Sequence, residues 1–193
     1  MSQIEDGTGL GFSAKVTDEN QLKVLSTSES VQHHISENKQ QAYQVIGTAT
    51  LAASTVVGLH VKNTSSDKIL TVTYIRHQVL DPAGGTALPN ASCYYRIAVG
   101  RTLTSGGATA TAVNVFAGSG NTAEITATQT APTLGGTAQE IDRWYTKAEG
   151  DMSTFNKEGA LILPPGGTIE LAYVGDHTSG LLYTRMSFLM EAF

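Results

Sequence analysis

From Tyr43 onward the chain is a succession of short alternating apolar runs separated by glycine and proline, and no stretch long enough for a stable helix breaks the series. Ile169, Leu171 and Tyr173 alternate with Thr168, Glu170 and Ala172; Met186, Phe188, Met190 and Ala192 alternate with Arg185, Ser187, Leu189 and Glu191. A period of two puts each set on one face of a strand, so both runs are built to cover a core. The same reading gives strands over 43–51, 69–80 and 93–99, and places Val57, Leu59 and Val61 on one face of a further strand. Runs 111–117 and 122–128, joined by Gly118-Ser119-Gly120-Asn121, are expected to form a hairpin. Residues 142–156 read either as an excursion with one helical turn or as a strand followed by a loop.

Between the runs stand Asp81-Pro82-Ala83-Gly84-Gly85, Ser105-Gly106-Gly107, Leu134-Gly135-Gly136 and Pro164-Pro165-Gly166-Gly167, each a chain breaker because glycine admits positive φ and proline fixes φ. Parallel pairing would need crossover helices that this pattern does not supply. The expectation is therefore all-β: an antiparallel, jelly-roll-like β-sandwich over 43–193, preceded by an extended N-terminal arm over 1–42.

The first 42 residues are different in kind. Their apolar residues (Ile4, Phe12, Val16, Leu22, Val24, Leu25, Val31 and Ile35) are scattered, and six acids against three bases give the segment -3 of the chain's net charge of -5. A short strand at 22–26 and a helix over 29–41 are conceivable, but neither would hold alone in water. The segment is either a floppy tail or a docked arm. Sparse apolar residues suit the second reading, a strap across a neighbouring subunit reaching at most roughly 140 Å, with those eight residues as its contacts.

Charge and cysteine content exclude several functions. With 17 acidic and 12 basic residues in 193, no general basic field collects phosphates, which disfavours nucleic acid and anionic membranes. Cys93 is the sole cysteine, so no intramolecular disulfide and no multi-thiolate zinc site can form; it falls within a strand and reads as a small core residue. The opening residues have no secretory character and no run approaches a membrane span, so synthesis in a cytoplasm is expected, and the sequons at Asn63 and Asn90 read as chance.

No chemical centre stands out. His60-Val61-Lys62 breaks the His-x-His of a sandwich metal site, His77 has no second histidine two residues away, and the adjacent His33 and His34 point apart in either a strand or a helix. Asp176-His177 reads as a solvated turn, no Gly-x-Ser-x-Gly elbow occurs, and Gly7-Thr8-Gly9-Leu10-Gly11 follows no strand. Glu124, Glu140, Glu158, Glu170 and Glu191 are expected mostly on solvent faces or in loops. The expectation is a non-enzyme without cofactor or metal.

Ile4-Glu5-Asp6-Gly7-Thr8-Gly9, Gly11-Phe12-Ser13-Ala14-Lys15-Val16, Asn20-Gln21-Leu22-Lys23-Val24 and His33-His34-Ile35-Ser36-Glu37 resemble the opening of a group of tailed-bacteriophage virion structural proteins. The body is similar more loosely, through Val57-Gly58-Leu59-His60-Val61-Lys62-Asn63-Thr64-Ser65 and Leu163-Pro164-Pro165-Gly166-Gly167-Thr168. The resemblance implies a head decoration (cement) protein on the capsid exterior, a homotrimer whose arms bridge capsomers through the major capsid protein or other virion proteins. The alternative is a tail or head-fibre module binding a receptor carbohydrate, with Tyr94, Trp144, Tyr145 and Tyr183 as candidate sugar platforms. A sandwich-fold hydrolase is the third class.

Overall fold

The computed structural model describes residues 36, 39–80, 93–145, 152–175 and 180–192, with backbone alone for 157–160. The chain divides between Ser30 and Val31, and everything described below belongs to the second unit. Its elements are strands: β1 (Ala42–Thr50), β2 (Ser54–Asn63), β3 (Lys68–Leu80), β4 (Tyr94–Val99), β5 (Thr102–Ser105), β6 (Ala108–Thr109), β7 (Val113–Asn114), β8 (Ile125–Gln129), β9 (Thr133–Gly135), β10 (Gln139–Tyr145), β11 (Met152–Leu163), β12 (Thr168–Gly175) and β13 (Leu181–Ala192).

Eleven of them form two antiparallel sheets, ordered β11-β3-β13-β1-β7 and β10-β4-β12-β2-β8-β6, and β5 pairs with β9 apart from both. Without the short strands, the chain changes sheet at each main connection except β4 to β10, which is the winding of a jelly roll. The inner faces meet in a core holding Val45 and Leu59, Val72 and Ile75, Ile97, Ile169 and Leu171, Met186 and Phe188, all almost fully buried. The period-two readings of β12 and β13 hold: Ile169, Leu171 and Tyr173 face inward, as do Met186, Phe188 and Met190. Cys93 and Tyr95 lie in a second cluster of the same interior.

Three sequence expectations are corrected. Runs 111–117 and 122–128 do not form a hairpin: β7 pairs with β1 at Tyr43 and Gln44, whereas β8 pairs with β2 and β6 in the other sheet. Each run adds to the nearest open sheet edge rather than to its sequence neighbour. Within β2 the pairing to β12 slips between Val57 and Leu59, leaving Gly58 as an extra residue. The bulge reverses the alternation, so Val56, Leu59 and Val61 point inward while Val57 faces out against Leu134 and Ala172. Leu134-Gly135 does not interrupt structure but forms most of β9. Residues 142–156 contain the end of β10 and the start of β11, the strand reading of that segment.

The insert between β4 and β10 shapes the surface. Through β7, β8 and β6 it covers the flank where β1 and β2 would otherwise present unpaired ladders. Glu124 in the insert pairs with Lys68 at the start of β3; the contact holds the Glu124 carboxyl below its usual range and the Lys68 ammonium above it. The insert's other pair, β5 with β9, is a separate ribbon whose Leu134 packs on Val57 and Ala172, on the outer face of the six-stranded sheet.

Asn63 closes the end of the sandwich. Its buried amide donates to the carbonyls of Lys68 (2.8 Å) and Leu163 (3.0 Å), and its Oδ1 accepts from the Ser65 backbone (3.1 Å). Both donors are committed, so the sequon that begins here is closed to glycosylation in the folded chain.

Candidate functional site

The most elaborated feature of the described surface is the place where the chain arrives at β1. Asn114 Nδ2 donates to the Gln40 carbonyl at 2.7 Å, and Asn121 Nδ2 reaches the carbonyls of Lys39 (3.2 Å) and Gln40 (3.3 Å). The backbone N–H of Val115 adds a bond to the Ala42 carbonyl (3.0 Å), and Gln41 accepts from Met190 (2.9 Å). Asn114 also accepts from the Phe116 N–H at 2.9 Å, a local turn that presents its amide toward the incoming chain. Gln40 itself takes a positive φ of 52°, so the chain bends sharply where these bonds hold it.

Beside this clamp lie three large apolar residues within four positions: Val113 at 64% exposure, Val115 at 55% and Phe116 at 40%. Fully burying such side chains contributes on the order of 1.5–3 kcal/mol each. The arm residues expected to make contacts, Ile4, Phe12, Val16, Leu22, Val24, Leu25, Val31 and Ile35, all lie outside the described residues. What the structure adds is the hold on Lys39 and Gln40, with the apolar strip of Val113, Val115 and Phe116 on the insert that provides it.

The second cluster corrects the expectation for Glu170. This residue occupies an outward position on β12, yet is only 1% exposed because the β5–β9 ribbon lies over it. Arg96 on β4 meets one carboxylate oxygen at 2.5 Å and Arg101 meets the other at 3.2 Å; Arg101 also donates to the Leu134 carbonyl at 2.5 Å. His60 lies 3.1 Å from the Arg101 carbonyl through Nε2, which must carry the hydrogen because a carbonyl only accepts. Burial lowers the His60 pKa, partly offset by that bond and by Glu170, so a third cation is kept out of the cluster. Both oxygens of Glu170 are taken by guanidinium groups, an arrangement suited to latching the ribbon rather than moving protons. Signals for this cluster existed in the outward placement of Arg96 and Glu170, but nothing local announced the ribbon above them.

Two clefts open near that ribbon. One, of about 340 Å³, is lined by Val99, Thr102, Ile162, Pro164 and Thr168 with no titratable side chain. The other, of about 150 Å³, is lined by His60, Lys62, Leu103 and four threonines. Among the described residues no three His, Cys, Asp or Glu side chains gather within reach of one ion. His33, His34, His177, Glu158's side chain, Asn90 and the 81–85 breaker fall outside the described residues.

The four candidate sugar platforms are not brought together. Trp144 turns inward, stacked on Phe155 (5.4 Å, 4°) and edge-on to His77 (5.5 Å). Tyr94 and Tyr145 do form an edge-to-face pair at 5.7 Å, but Arg143 covers Tyr94 at 4.2 Å. Tyr183 belongs to the other sheet, beneath Arg76. The chain matches no protein-family model and no curated protein sequence.

Proposed function

We propose that this chain is a structural protein of a tailed-bacteriophage virion: a homotrimeric head decoration protein that binds the major capsid protein through its N-terminal arm and reinforces the capsid exterior. The observation that carries this reading is the clamp at Lys39 and Gln40, where two insert asparagines hold the chain immediately before β1. The adjacent strip of Val113, Val115 and Phe116 supplies apolar area for a docked neighbour, and the resemblance of residues 4–37 supplies the virion context.

The physics is that of tethered, repeated attachment. A capsid junction gains stability from added buried area without any chemistry, and three arms on one trimer raise each other's effective concentration once the first is seated. The test is deletion of residues 1–38, which keeps Lys39, Gln40 and the whole of β1. The truncated protein is expected to fold, with an unchanged β-type circular dichroism spectrum, and to fail to sediment with capsids. A folded truncation that still decorates particles overturns the proposal.

The second reading, a carbohydrate-binding module, is favoured by one observation only: the exposed Tyr145 paired with Tyr94 at the edge of the six-stranded sheet. Glycan-array binding that a Tyr145→Ala substitution abolishes would establish it.

A further inference from the structure

On the outer face of the five-stranded sheet, Arg185 of β13 stands directly opposite Arg76 of β3. Like charges in register repel. The two guanidinium groups lie over tyrosines of the adjacent rows, Arg76 6.0 Å from the Tyr183 ring and Arg185 5.9 Å from Tyr74. Arg76 donates to Gln78 at 3.2 Å, and the Nε of each arginine has no hydrogen-bond partner. The surrounding outward positions are Thr, Ser, Gln, Asn, Ile and Met. The one acid on this face whose side chain is described is Glu191, six residues along β13 from Arg185 and so roughly 20 Å away.

We propose that this face docks an acidic polypeptide segment, carboxylates from it forming paired bonds with Arg76 and Arg185 while its backbone and apolar atoms lie on Tyr74 and Tyr183. Three arguments select that occupant. Among the described side chains, Tyr, Arg and Met surround the arginine pair with no Lys, Asp or Glu beside it, the composition of the centre of a protein–protein interface. A second copy of the same face is a poor partner, since face-to-face pairing would bring four guanidinium groups together with no carboxylate among them. A nucleic acid is disfavoured by the chain's net charge of -5, which repels a long polyanion, whereas a short segment with two carboxylates can give one to each guanidinium fork. This inference does not depend on the arm: it concerns a second attachment surface on the sandwich itself.

Fluorescence anisotropy of the full chain titrated into a labelled peptide of alternating Glu and Ser tests it, with a Gln-Ser peptide and heparin as comparators. The Glu peptide is expected to bind, to weaken as salt is raised, and to lose about tenfold or more in affinity with Arg76→Gln/Arg185→Gln. Arg76→Lys/Arg185→Lys keeps charge and length and guards against a folding defect; it should lose several-fold, because an ammonium cannot grip a carboxylate at two points. Failure of the Glu peptide to bind, equal binding of the Gln peptide, stronger binding of heparin, or wild-type affinity in the Lys variant each overturns the proposal.

Discussion

His77 sits wholly inside the sandwich with neither ring nitrogen hydrogen-bonded, stacked on Tyr95 at 4.9 Å with Trp144 edge-on. Burial alone pushes its pKa down to about 3, against about 6.5 in an unfolded chain. Between those values the unfolded chain binds a proton that the folded chain refuses, so stability is complete above about pH 6.5 and falls as the solution is acidified, by up to about 1.4 kcal/mol per pH unit. His60, also lowered, acts in the same direction. Urea midpoints of the wild type are therefore expected to drop between pH 6.5 and 5, above the range where carboxylates protonate. His77→Phe, which keeps the ring stack, should flatten that drop by about half. An unchanged pH slope in the variant would mean that His77 is hydrated or bonded in solution.

Single positions also set how strands meet, and here the element scale takes over. Gly47 of β1 faces Gly58 of β2 so closely that a Cβ on Gly47 would lie 2.3 Å from the Gly58 carbonyl oxygen and 2.9 Å from Leu59 Cβ. Because the obstruction is backbone, the strands must move apart, and Gly47→Ala is expected to cost about 2 kcal/mol or more by denaturant titration. The latch on the ribbon follows a different rule. Glu170→Ala leaves Arg96 and Arg101, 15% and 22% exposed, without their shared carboxylate, and removal of one partner from a buried ion cluster costs about 3–5 kcal/mol. Proteolysis within residues 102–136 should accelerate along with that loss, since Arg101 also holds the Leu134 carbonyl. Sequence periodicity made β12 and β13 legible because one face of each meets the core. It misplaced Val57 because a one-residue bulge at Gly58 inverts a period-two pattern without altering composition. It paired 111–117 with 122–128 because turn chemistry is local, whereas the partner of an added strand is whichever sheet edge is free. Glu170 read as solvent-facing for a related reason: the layer that buries it arrives from about 35 residues away in sequence.

For the molecule as a whole, the two flanks of the sandwich differ. The flank of β1 and β2 is closed by the insert, while the opposite flank ends in β10 and β11, one in each sheet and each paired on one side only among the described residues. Ile141, Tyr145, Met152 and Ile162 are large, apolar and exposed there, and strand edges of this kind invite pairing unless something covers them. Glu140 and Arg143 form a surface pair on the same strand, with Arg143 bonding Glu140 at 2.6 and 2.8 Å, which favours an oriented contact over indiscriminate stacking. A closed ring of three requires a heterologous contact, one flank against a different patch, and asymmetric flanks provide that. If the proposed trimer forms through this flank, native mass spectrometry should find three chains in the wild type and one in Ile141→Lys/Ile162→Lys. Both substitutions are at exposed positions, so the circular dichroism spectrum should stay as it was. A double variant that remains trimeric would move the subunit contact elsewhere, with the Val113, Val115 and Phe116 strip as the next surface to alter.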